Sequence, residues 1–558
     1  MPRSGLWLAA VALGVGTGFC GWRGGLPSAR RLEVLPPEAR GPRAARALAD
    51  AWRALYERIE RSHAEMSAEE PVTYIRGVER APAGWTAPPP PLVNSVRSFL
   101  LQSVNPDEKK AFIILARMRP WKLDFQPLYV QYGGGIIYPL GAWLWAASKA
   151  GLARLSPDPA YYLEHPDAMG RLYALGRLFM LLFQTGAIVL VAALGRRLGG
   201  VRAGLVAAAV YALLPPVLEN AHLIKPHAYA AFWALASVWF LLSAQGGAKR
   251  RALLWAGLLA GVAAGSNLAL APLCAAPLLV GRDRDGLLGS AAGALVLAAL
   301  NPYLIVAPRA YAWELTVYAG AQASPSFAAL GRLAVSSARL LGPVFCAGAA
   351  AAAVWALRRG GQPRLAALVA VGLSAIVWAR FPALVDAGAF RLYLPMLALA
   401  AVLLGAAVEA LPRAARAAAL ALLVVDVGAR GGLWLARLRE GAGDGSTRAR
   451  AAAWIEASVP AGSELGFTRF PAPSSSPTLP FYRYAVTVFD PAAPAPPQPA
   501  WLVVDQAGLG SLDKDLANRY DQAASFLPVG ARWLPPDEAA SFADAAVYVL
   551  KRRSPTRS

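Results

Sequence analysis

Two adjacent carboxylates, Asp107 and Glu108, are the first residues whose types and spacing suggest chemistry. They lie in the segment NPDEKKAF, directly before a stretch with helical character. Acidic side chains are favoured at the positive end of a helix dipole, and Asp107 alone would suit a helix cap. The same pair would also serve as a general base or a metal ligand beside a membrane-embedded substrate. The residues by themselves leave both interpretations open.

A second cluster of ionisable side chains lies in PPVLENAHLIKPHAYAAFW and comprises Glu219, His222, Lys225 and His227. Ionisable groups this close to a bilayer are costly and are therefore functional candidates. A lysine beside a helix N-terminus suits a phosphate, and Pro226 is expected to begin the next helix. Two histidines and a glutamate would also suit a divalent metal. The alternatives are a snorkelling lysine and structural histidines.

A third group is Arg391 and Tyr393 in the segment RLYLP, preceded by Arg380. An arginine at the outer end of a helix can hold a lipid-linked phosphate by two parallel hydrogen bonds. Arginine and tyrosine also favour the membrane interface as plain anchors. Both interpretations stay open for this group.

The composition indicates which elements must position these residues. The chain has 558 residues with 55 Lys+Arg and 34 Asp+Glu, a net charge of +21, and a mean hydropathy of +0.40. Hydrophobic residues make up 56 % and charged residues 16 %, whereas soluble domains have about 45–50 % and about 25 %. Soluble globular and disordered classes are thereby excluded. Three cysteines in apolar runs provide no disulfide framework.

Apolar runs of about 20 residues predict a polytopic α-helical membrane protein with about eleven spans. The predicted spans are 5–22, 171–195, 201–217, 226–244, 251–266, 268–281, 286–306, 331–357, 364–380, 391–411 and 414–437. The pair within 251–281 is either two short spans or one long tilted helix. Four regions follow from this interpretation: a first anchor at 1–22, an outer loop at 23–170, a bundle at 171–438 and an outer soluble α/β domain at 439–558.

Lysine and arginine clusters occur on alternate predicted loops, which sets the orientation of the bundle. The protein is predicted to lie in the inner (plasma) membrane. Its N-terminus and clusters such as Arg196-Arg197 are predicted to face the cytoplasm, and its C-terminal domain is predicted to be periplasmic or extracellular. The positive charge is then explained by topology and needs no nucleic acid as partner. No P-loop, GxGxxG, HExxH or GxSxG motif is present, so no nucleotide cofactor is expected.

The outer regions carry weaker patterns. If residues 133–150 crossed the membrane, Arg196-Arg197 would be moved to the outer side. We therefore interpret these residues as a partly embedded helix against the outer face. Residues 40–66 predict an amphipathic helix, and 81–92 a proline-rich linker. In the C-terminal region, a helix at 448–458 and strands beginning at Leu502 and Val547 are predicted.

Several of these segments resemble one family when they are taken in order. They are the stretch from NPDEKKAF to YPLGAWLWAAS, the RLYALGR and LGRRLGGVRAG segments within 171–204, HLIKPHAYAAF, 301–315, 391–405 and 452–467. Together they resemble lipid-carrier-dependent glycosyltransferases of the GT-C fold, akin to dolichyl-phosphate-mannose protein mannosyltransferases and aminoarabinose transferases. Two departures are His227, where the family commonly has an acid, and an insertion of roughly 80 residues before Asp107.

The resemblance implies a cell-envelope enzyme that transfers a sugar, with inversion, from a polyprenyl-phosphate donor to a lipid, glycan or protein acceptor at the outer face. Asp107 would act as general base, and Glu108 would assist or position it. The residues expected to bind the donor phosphate and offset its charge are Lys225, His222, Arg391 and Tyr393. His222 and His227 are alternatively candidates for a divalent metal, and the cofactor is otherwise unknown.

Two other classes compete with this interpretation. A transporter or flippase of lipid-linked sugars would place ionisable residues near the bilayer midplane and would use paired broken helices. The predicted spans are nearly free of central charges, and the exception, Asp426 with Arg430, has the i, i+4 spacing of a helical ion pair. A scaffold that uses its C-terminal domain to bind partners would leave the clusters at Asp107 and Lys225 unexplained.

Overall fold

The computed structural model is mostly helical, with a small sheet near the C-terminus. It describes residues 3–50, 53, 93–123, 125, 132–221, 223–244, 249–306, 308, 326–380, 387–489, 491, 496–512, 514–533 and 544–553.

A first helix and an outer segment precede the bundle. This part contains α1 (Arg3–Gly18), a short helix at 42–50, α2 (Val93–Leu101), α3 (Glu108–Arg117), α4 (Gly134–Lys149) and α5 (Pro159–Glu164), with 3-10 turns at Ala29–Val34, Pro37–Ala39 and Pro120–Lys122. The helix predicted at 40–66 is confirmed from 42 to 50. Apart from residue 53, its remainder lies outside the described residues, as does the proline-rich linker at 81–92. The helix predicted at 133–150 is confirmed as α4.

The bundle begins with a helix of 48 residues that is divided at Gly200, where the backbone leaves the helical conformation and φ is +87°. The helices of the bundle are α6 (Pro166–Leu213), α7 (Pro215–Asn220), α8 (Pro226–Ser243), α9 (Lys249–Ser266), α10 (Arg284–Leu300), a one-turn helix at Tyr303–Val306, α11 (Phe327–Leu341), α12 (Pro343–Arg359), α13 (Gly361–Arg380), α14 (Leu394–Glu409), α15 (Arg413–Leu423) and α16 (Ala429–Gly441). Other turns are 3-10 at Leu268–Leu279 and Ala387–Tyr393, and π at Val424–Gly428.

Four helical segments within the described residues are long and apolar enough to cross a membrane: Pro166–Leu213, Gly361–Arg380, Phe390–Glu409 and Arg413–Gly441. The bent pair α11–α12 would add a fifth. The predicted count of about eleven is not confirmed by this measure and stays a prediction. Large apolar side chains on the bundle surface, such as Leu295 and Val424 at 71 % exposure each, suit contact with lipid better than with water.

Two predicted spans differ in shape from a single helix. The idea of one long helix through 251–281 is wrong, because the α-helix ends at Ser266 and Asn267 caps the following 3-10 turn by accepting a hydrogen bond from Ala269 N. The prediction of one continuous helix at 331–357 is also wrong, because α11 and α12 meet at an angle of 115° around Gly342. Gly342 has φ of +103°, and any side chain there would collide with Asp426.

The stretch between Arg177 and Arg196 defines the two ends of the bundle. Residues 178–195 contain no charged side chain, and 18 helical residues span about 27 Å, close to the thickness of a bilayer's hydrocarbon core. At what we term the Arg197 end, Arg197 donates to Ser243 Oγ at 2.7 Å and to Gln362 Oε1 at 2.9 Å. The opposite end is the Arg177 end, where α8 begins and α9 finishes.

The C-terminal region forms a mixed sheet beside helix α17 (Thr447–Ser458). Its strands are β1 (Glu464–Phe467), β2 (Ala485–Val488), β3 (Trp501–Asp505), β4 (Tyr520–Phe526) and β5 (Val547–Arg552), with a 3-10 turn at Phe481–Arg483 and short helices α18 (Gln506–Ser511) and α19 (Lys514–Ala517). The strand order is β2-β1-β3-β5-β4, parallel from β2 to β3 and antiparallel beyond. The predicted helix and two strands are confirmed.

The outer segment and the C-terminal sheet share one hydrophobic core. Val34 and Phe99 from the outer segment are buried in it together with Ile455 and Phe467. The rings of Phe99 and Phe481 lie 5.5 Å apart. The residues before Asp107 are therefore anchored on the C-terminal sheet, which holds the acidic pair between that sheet and the bundle.

Candidate functional site

Asp107 occupies the position before α3, but its side chain does not cap that helix. One carboxylate oxygen lies 2.9 Å from Lys225 Nζ and the other 3.0 Å from Lys110 Nζ. The backbone is held by Tyr132, whose hydroxyl donates to Asp107 O at 3.3 Å. The side chain keeps 28 % of its surface exposed. The sequence left open whether Asp107 caps the helix, and in the structure its carboxylate does not do so.

Glu108 has the opposite environment, although it is the next residue. It is fully buried, and its carboxylate accepts two hydrogen bonds from Arg177, at 2.9 and 2.7 Å. It also accepts from Ser103 Oγ at 2.5 Å and from Ile224 N at 3.0 Å. Both oxygens are fully used, so the carboxylate ties the loop before α3 to α6 and to the residue preceding Lys225.

Lys225 lies directly before α8 and is buried, with 4 % of its side chain exposed. Its position is fixed from both sides, because Ile224 N is bound by Glu108 and Pro226 begins the helix. A helix N-terminus adds positive potential at this point. The lysine that the sequence predicts to bind a phosphate is therefore buried, and the Asp107 carboxylate is its ion-pair partner.

Electrostatics within this pair are shaped by burial and by neighbouring cations. Burial by itself would raise the pKa of Asp107, but Lys225, Lys110 and Arg391 outweigh it and hold that pKa well below its usual range. Burial lowers the pKa of Lys225, and Arg391 lowers it further, while Asp107 opposes both. Asp107 is therefore charged throughout the neutral range, and the charge on Lys225 depends on its anionic neighbours.

The structure brings Arg391 and His227 to the same place. Arg391, in the 3-10 turn before α14, interacts electrostatically with Asp107, Lys225 and His227. The ring Nδ1 of His227 lies 3.3 Å from Asn267 Nδ2, which connects the start of α8 with the end of α9. Tyr393 is buried at the start of α14, with its ring 6.1 Å from that of Phe390.

The predicted metal alternative involves His222, which lies outside the described residues. Among the residues that the structure describes, no group of three or more His, Cys, Asp or Glu side chains could hold a metal ion. His227 has an asparagine amide as its nearest polar partner. The roles of His222 and of any metal stay predictions.

The site lies at the level where the uncharged stretch of α6 begins. Arg177 is the last charged residue before residues 178–195, and it is the partner of Glu108. Trp143 on α4 donates to Leu175 O at 2.9 Å, which places α4 at the same height. If 178–195 cross the hydrocarbon core, Asp107 lies at its boundary, within reach of a lipid headgroup.

Two residues of the site were not singled out from the sequence. Arg177 anchors Glu108 and also donates to Trp22 O and Gly24 O after α1. Lys110 is the second cation on Asp107. A signal for Arg177 existed, because a lone arginine at the border of an uncharged stretch must find a partner. For Lys110, its i, i+3 spacing from Asp107 on a helix was the available signal.

No family model matches the chain, and no curated protein matches it either. Among solved structures, it is similar to ArnT from Cupriavidus metallidurans bound to undecaprenyl phosphate, with 16 % identity, a TM-score of 0.44, and coverage of 81 % of this chain and 95 % of that one. It is also similar to the apo oligosaccharyltransferase of Archaeoglobus fulgidus, with 15 % identity, a TM-score of 0.39 and coverage of 60 % and 51 %.

A third similar structure is the arabinofuranosyltransferase AftD from Mycobacteria, with 19 % identity, a TM-score of 0.37 and coverage of 79 % and 39 %. All three are GT-C fold glycosyltransferases, the class that the sequence motifs resemble. The chain spans about half the length of the archaeal enzyme. With TM-scores below 0.5, these likenesses carry no conclusion about the function of this chain.

Proposed function

We propose that this protein is a membrane glycosyltransferase that moves a sugar from a polyprenyl-phosphate donor to an acceptor hydroxyl or amine at the Arg177 end of the bundle. One observation carries the proposal: a partly exposed carboxylate, Asp107, is held between Lys225 and Lys110 at the boundary of an uncharged helical stretch. A lipid-linked donor would keep its chain in the bilayer and place its phosphate beside these cations.

The proposed reaction is a single displacement. The acceptor atom attacks C1 of the sugar while the bond from C1 to the phosphate oxygen breaks, and the electron pair leaves with the polyprenyl phosphate. The acceptor proton passes to Asp107. One displacement inverts the anomeric centre. Lys225 and Arg391 offset the charge that develops on the departing phosphate.

Donor binding would also activate the base. In the structure the ion pairs hold the pKa of Asp107 too low for an effective base, because Lys225 and Lys110 stabilise its charged form. A donor phosphate that takes over Lys225 would remove part of this stabilisation. The pKa of Asp107 then rises, which makes the carboxylate a better proton acceptor when donor is bound.

Glu108 takes a positioning role in this scheme. Its carboxylate has no exposed surface and is fully engaged with Arg177, Ser103 and Ile224. It therefore fixes the spacing between Asp107 and Lys225 without meeting substrate. We also propose that the reaction takes place at the outer face of the plasma membrane and that the C-terminal domain lies on that side. This orientation follows from the predicted charge asymmetry of the loops.

The test is sugar transfer by purified protein in lipid nanodiscs, supplied with a panel of radiolabelled polyprenyl-phosphate sugars and a membrane extract as the source of acceptor. We expect labelled product and released polyprenyl phosphate. Replacing Asp107→Asn keeps the shape but removes the base, so the turnover number should fall about 10²- to 10⁴-fold. Full activity of the variant would refute the assigned base.

The same assay separates the enzyme from a transporter. A transporter would move the intact lipid-linked sugar between leaflets without releasing polyprenyl phosphate. The charged pair within the predicted spans, Asp426 with Arg430, is a local ion pair at 3.0 Å, and Asp426 also accepts from Val344 N at the start of α12. Both partners are therefore used in holding the bend at Gly342.

A further inference from the structure

Helices α3 and α4 form a layer beside the candidate site, and this layer has an apolar and basic outer surface. Ile114 of α3 and Met118, which follows that helix, are buried with Ile136 and Leu140 of α4 in one hydrophobic cluster. The segment from Lys109 to Ser156 contains seven lysines or arginines and a single acidic residue. The layer is therefore strongly cationic wherever it is not packed.

Large apolar side chains project from this layer in two places. After α3, Trp121 and Leu123 are 79 % and 82 % exposed. At the end of α4, Trp145 and Leu152 are each 59 % exposed. We term these residues, with the cations that flank them, the outer patch; the flanking cations are Arg119, Lys122, Lys149 and Arg154.

The backbone of Leu123 adds a second observation. Among the described residues, it is the one non-glycine residue with positive φ, at +56°. A left-handed conformation is sterically unfavourable for a leucine. Since the side chain is almost fully exposed, no internal packing of the described residues offsets that cost. Leu123 ends the 3-10 turn at Pro120–Lys122 and its N–H donates to Pro120 O at 3.0 Å, so this local hydrogen bond holds the conformation that leaves the side chain on the surface.

The location of the patch indicates what that contact is. Trp143, two residues from Trp145, donates to Leu175 O, two residues before Arg177 and the start of the uncharged stretch of α6. The turn that carries Trp121 and Leu123 lies against the same helix, because the ring of Phe125 is 5.7 Å from that of Tyr138 on α4. The ammonium of Lys149 lies 5.8 Å from the ring centroid of Trp145. Tryptophan beside lysine and arginine at this depth matches the headgroup region of a bilayer, in which the ring is half-buried and the cations meet lipid phosphates.

We propose that the outer patch docks onto anionic phospholipid headgroups of the surrounding bilayer, with Trp121 and Leu123 inserted beneath them. This contact fixes the α3–α4 layer, and with it Asp107, at the lipid surface. The proposal concerns lipid contact alone and does not depend on the transfer reaction.

Depth-dependent fluorescence in nanodiscs tests this directly. In a background with the three native cysteines replaced, an environment-sensitive dye is attached after Trp121→Cys. The matched control is Trp533→Cys, because Trp533 is equally exposed at 78 % but lies beyond β4 in the C-terminal region. The nanodiscs contain either neutral phosphatidylcholine or phosphatidylcholine mixed with phosphatidylglycerol.

We expect the dye at 121 to emit at shorter wavelength in phosphatidylglycerol nanodiscs, to be quenched by headgroup-labelled nitroxide lipids, and to be protected from aqueous iodide. The control should stay open to iodide. The double substitution Arg119→Gln with Lys122→Gln should remove the difference between the two lipid compositions.

Three results would overturn the proposal. Equal iodide quenching at 121 and at 533 would show that the patch faces water. Equal protection in both lipid compositions would contradict the preference for anionic headgroups. An undiminished response to phosphatidylglycerol in the double variant Arg119→Gln with Lys122→Gln would show that these cations do not contact the headgroups.

Discussion

Both ends of the bundle contain ion pairs between acidic and basic side chains, but these pairs are buried at one end and exposed at the other. At the Arg177 end, the pair of Glu108 and Arg177 is buried, and Lys225 is buried beside Asp107. At the Arg197 end, the pair of Lys249 and Asp283 is exposed by 37 % and 53 % of the two side chains. Buried charges require full pairing, whereas exposed ones tolerate its loss.

The difference shows where function constrains the fold. A pair in solvent is replaceable and serves orientation and solubility. A buried pair contributes little net stability compared with an apolar replacement, so its retention at the Arg177 end calls for another reason. Asp107 offers that reason, because it is the acid of this group that keeps exposed surface beside the buried cations.

The largest stability effect is expected from Glu108→Gln. The amide leaves the buried guanidinium of Arg177 without its counter-charge, and breaking a buried pair costs about 3–5 kcal/mol. Unfolding in mixed detergent micelles measures the loss. The double variant Glu108→Gln with Arg177→Gln should recover part of it, because no uncompensated charge remains. An unaltered unfolding midpoint in the single variant would contradict the comparison of the two ends.

An intermediate effect is expected from pH at Lys225. Because burial lowers its pKa, donor binding should weaken as pH rises, beginning below the usual lysine value of about 10.4. Loss of one charged contact, about 1.5–3 kcal/mol, raises the KM for donor about tenfold or more.

Lys225→Arg provides the control, since the pKa of arginine is about 12 or higher and its side chain stays charged up to about pH 12. The alkaline rise in KM should move to higher pH in this variant, while the turnover number responds less. An identical pH profile in both proteins would show that another group titrates.

At acid pH, the contribution of Asp107 to stability depends on the ionisation of its carboxyl group. This contribution is lost as pH falls, whereas the charge of Lys225 is lost as pH rises. The depressed pKa of Asp107 means that the stability gained from the ionised carboxylate is complete above about pH 3.9 and is lost only as pH falls through the lower folded value. No acid limb of stability from this residue is therefore expected near neutrality. A loss of wild-type stability between about pH 6 and 5 that disappears in Asp107→Asn would contradict the depressed pKa.

The smallest effect is expected from Asp283→Asn at the Arg197 end. Its partner Lys249 lies 2.6 Å away but is well exposed, and such pairs contribute about 0–1 kcal/mol. Asparagine still caps α10 through the bond from Gly286 N, so only the charge is removed. A loss in the same unfolding assay as large as that of Glu108→Gln would erase the difference between the two ends.

Local patterns predicted several elements because local physics determines them. The helix at 448–458 and the strands from Leu502 and Val547 follow from periodicity and turn residues, and the structure has them. The bend at Gly342 was not predictable, because it depends on Asp426, which is distant in sequence. Apolar composition specifies that a segment is buried or lipid-facing, but it does not specify where the helix axis turns.

The sequence by itself determined that the chain is apolar and helical, that its cations alternate between loops, and that Asp107, Glu108 and Lys225 are candidates for chemistry. Only the tertiary structure decided their roles. Two neighbouring carboxylates with the same chemistry diverged because successive residues at a helix start point in different directions. Glu108 pairs with Arg177 in the protein interior, whereas Asp107 pairs with Lys225, which lies directly before α8, and keeps 28 % of its side chain exposed.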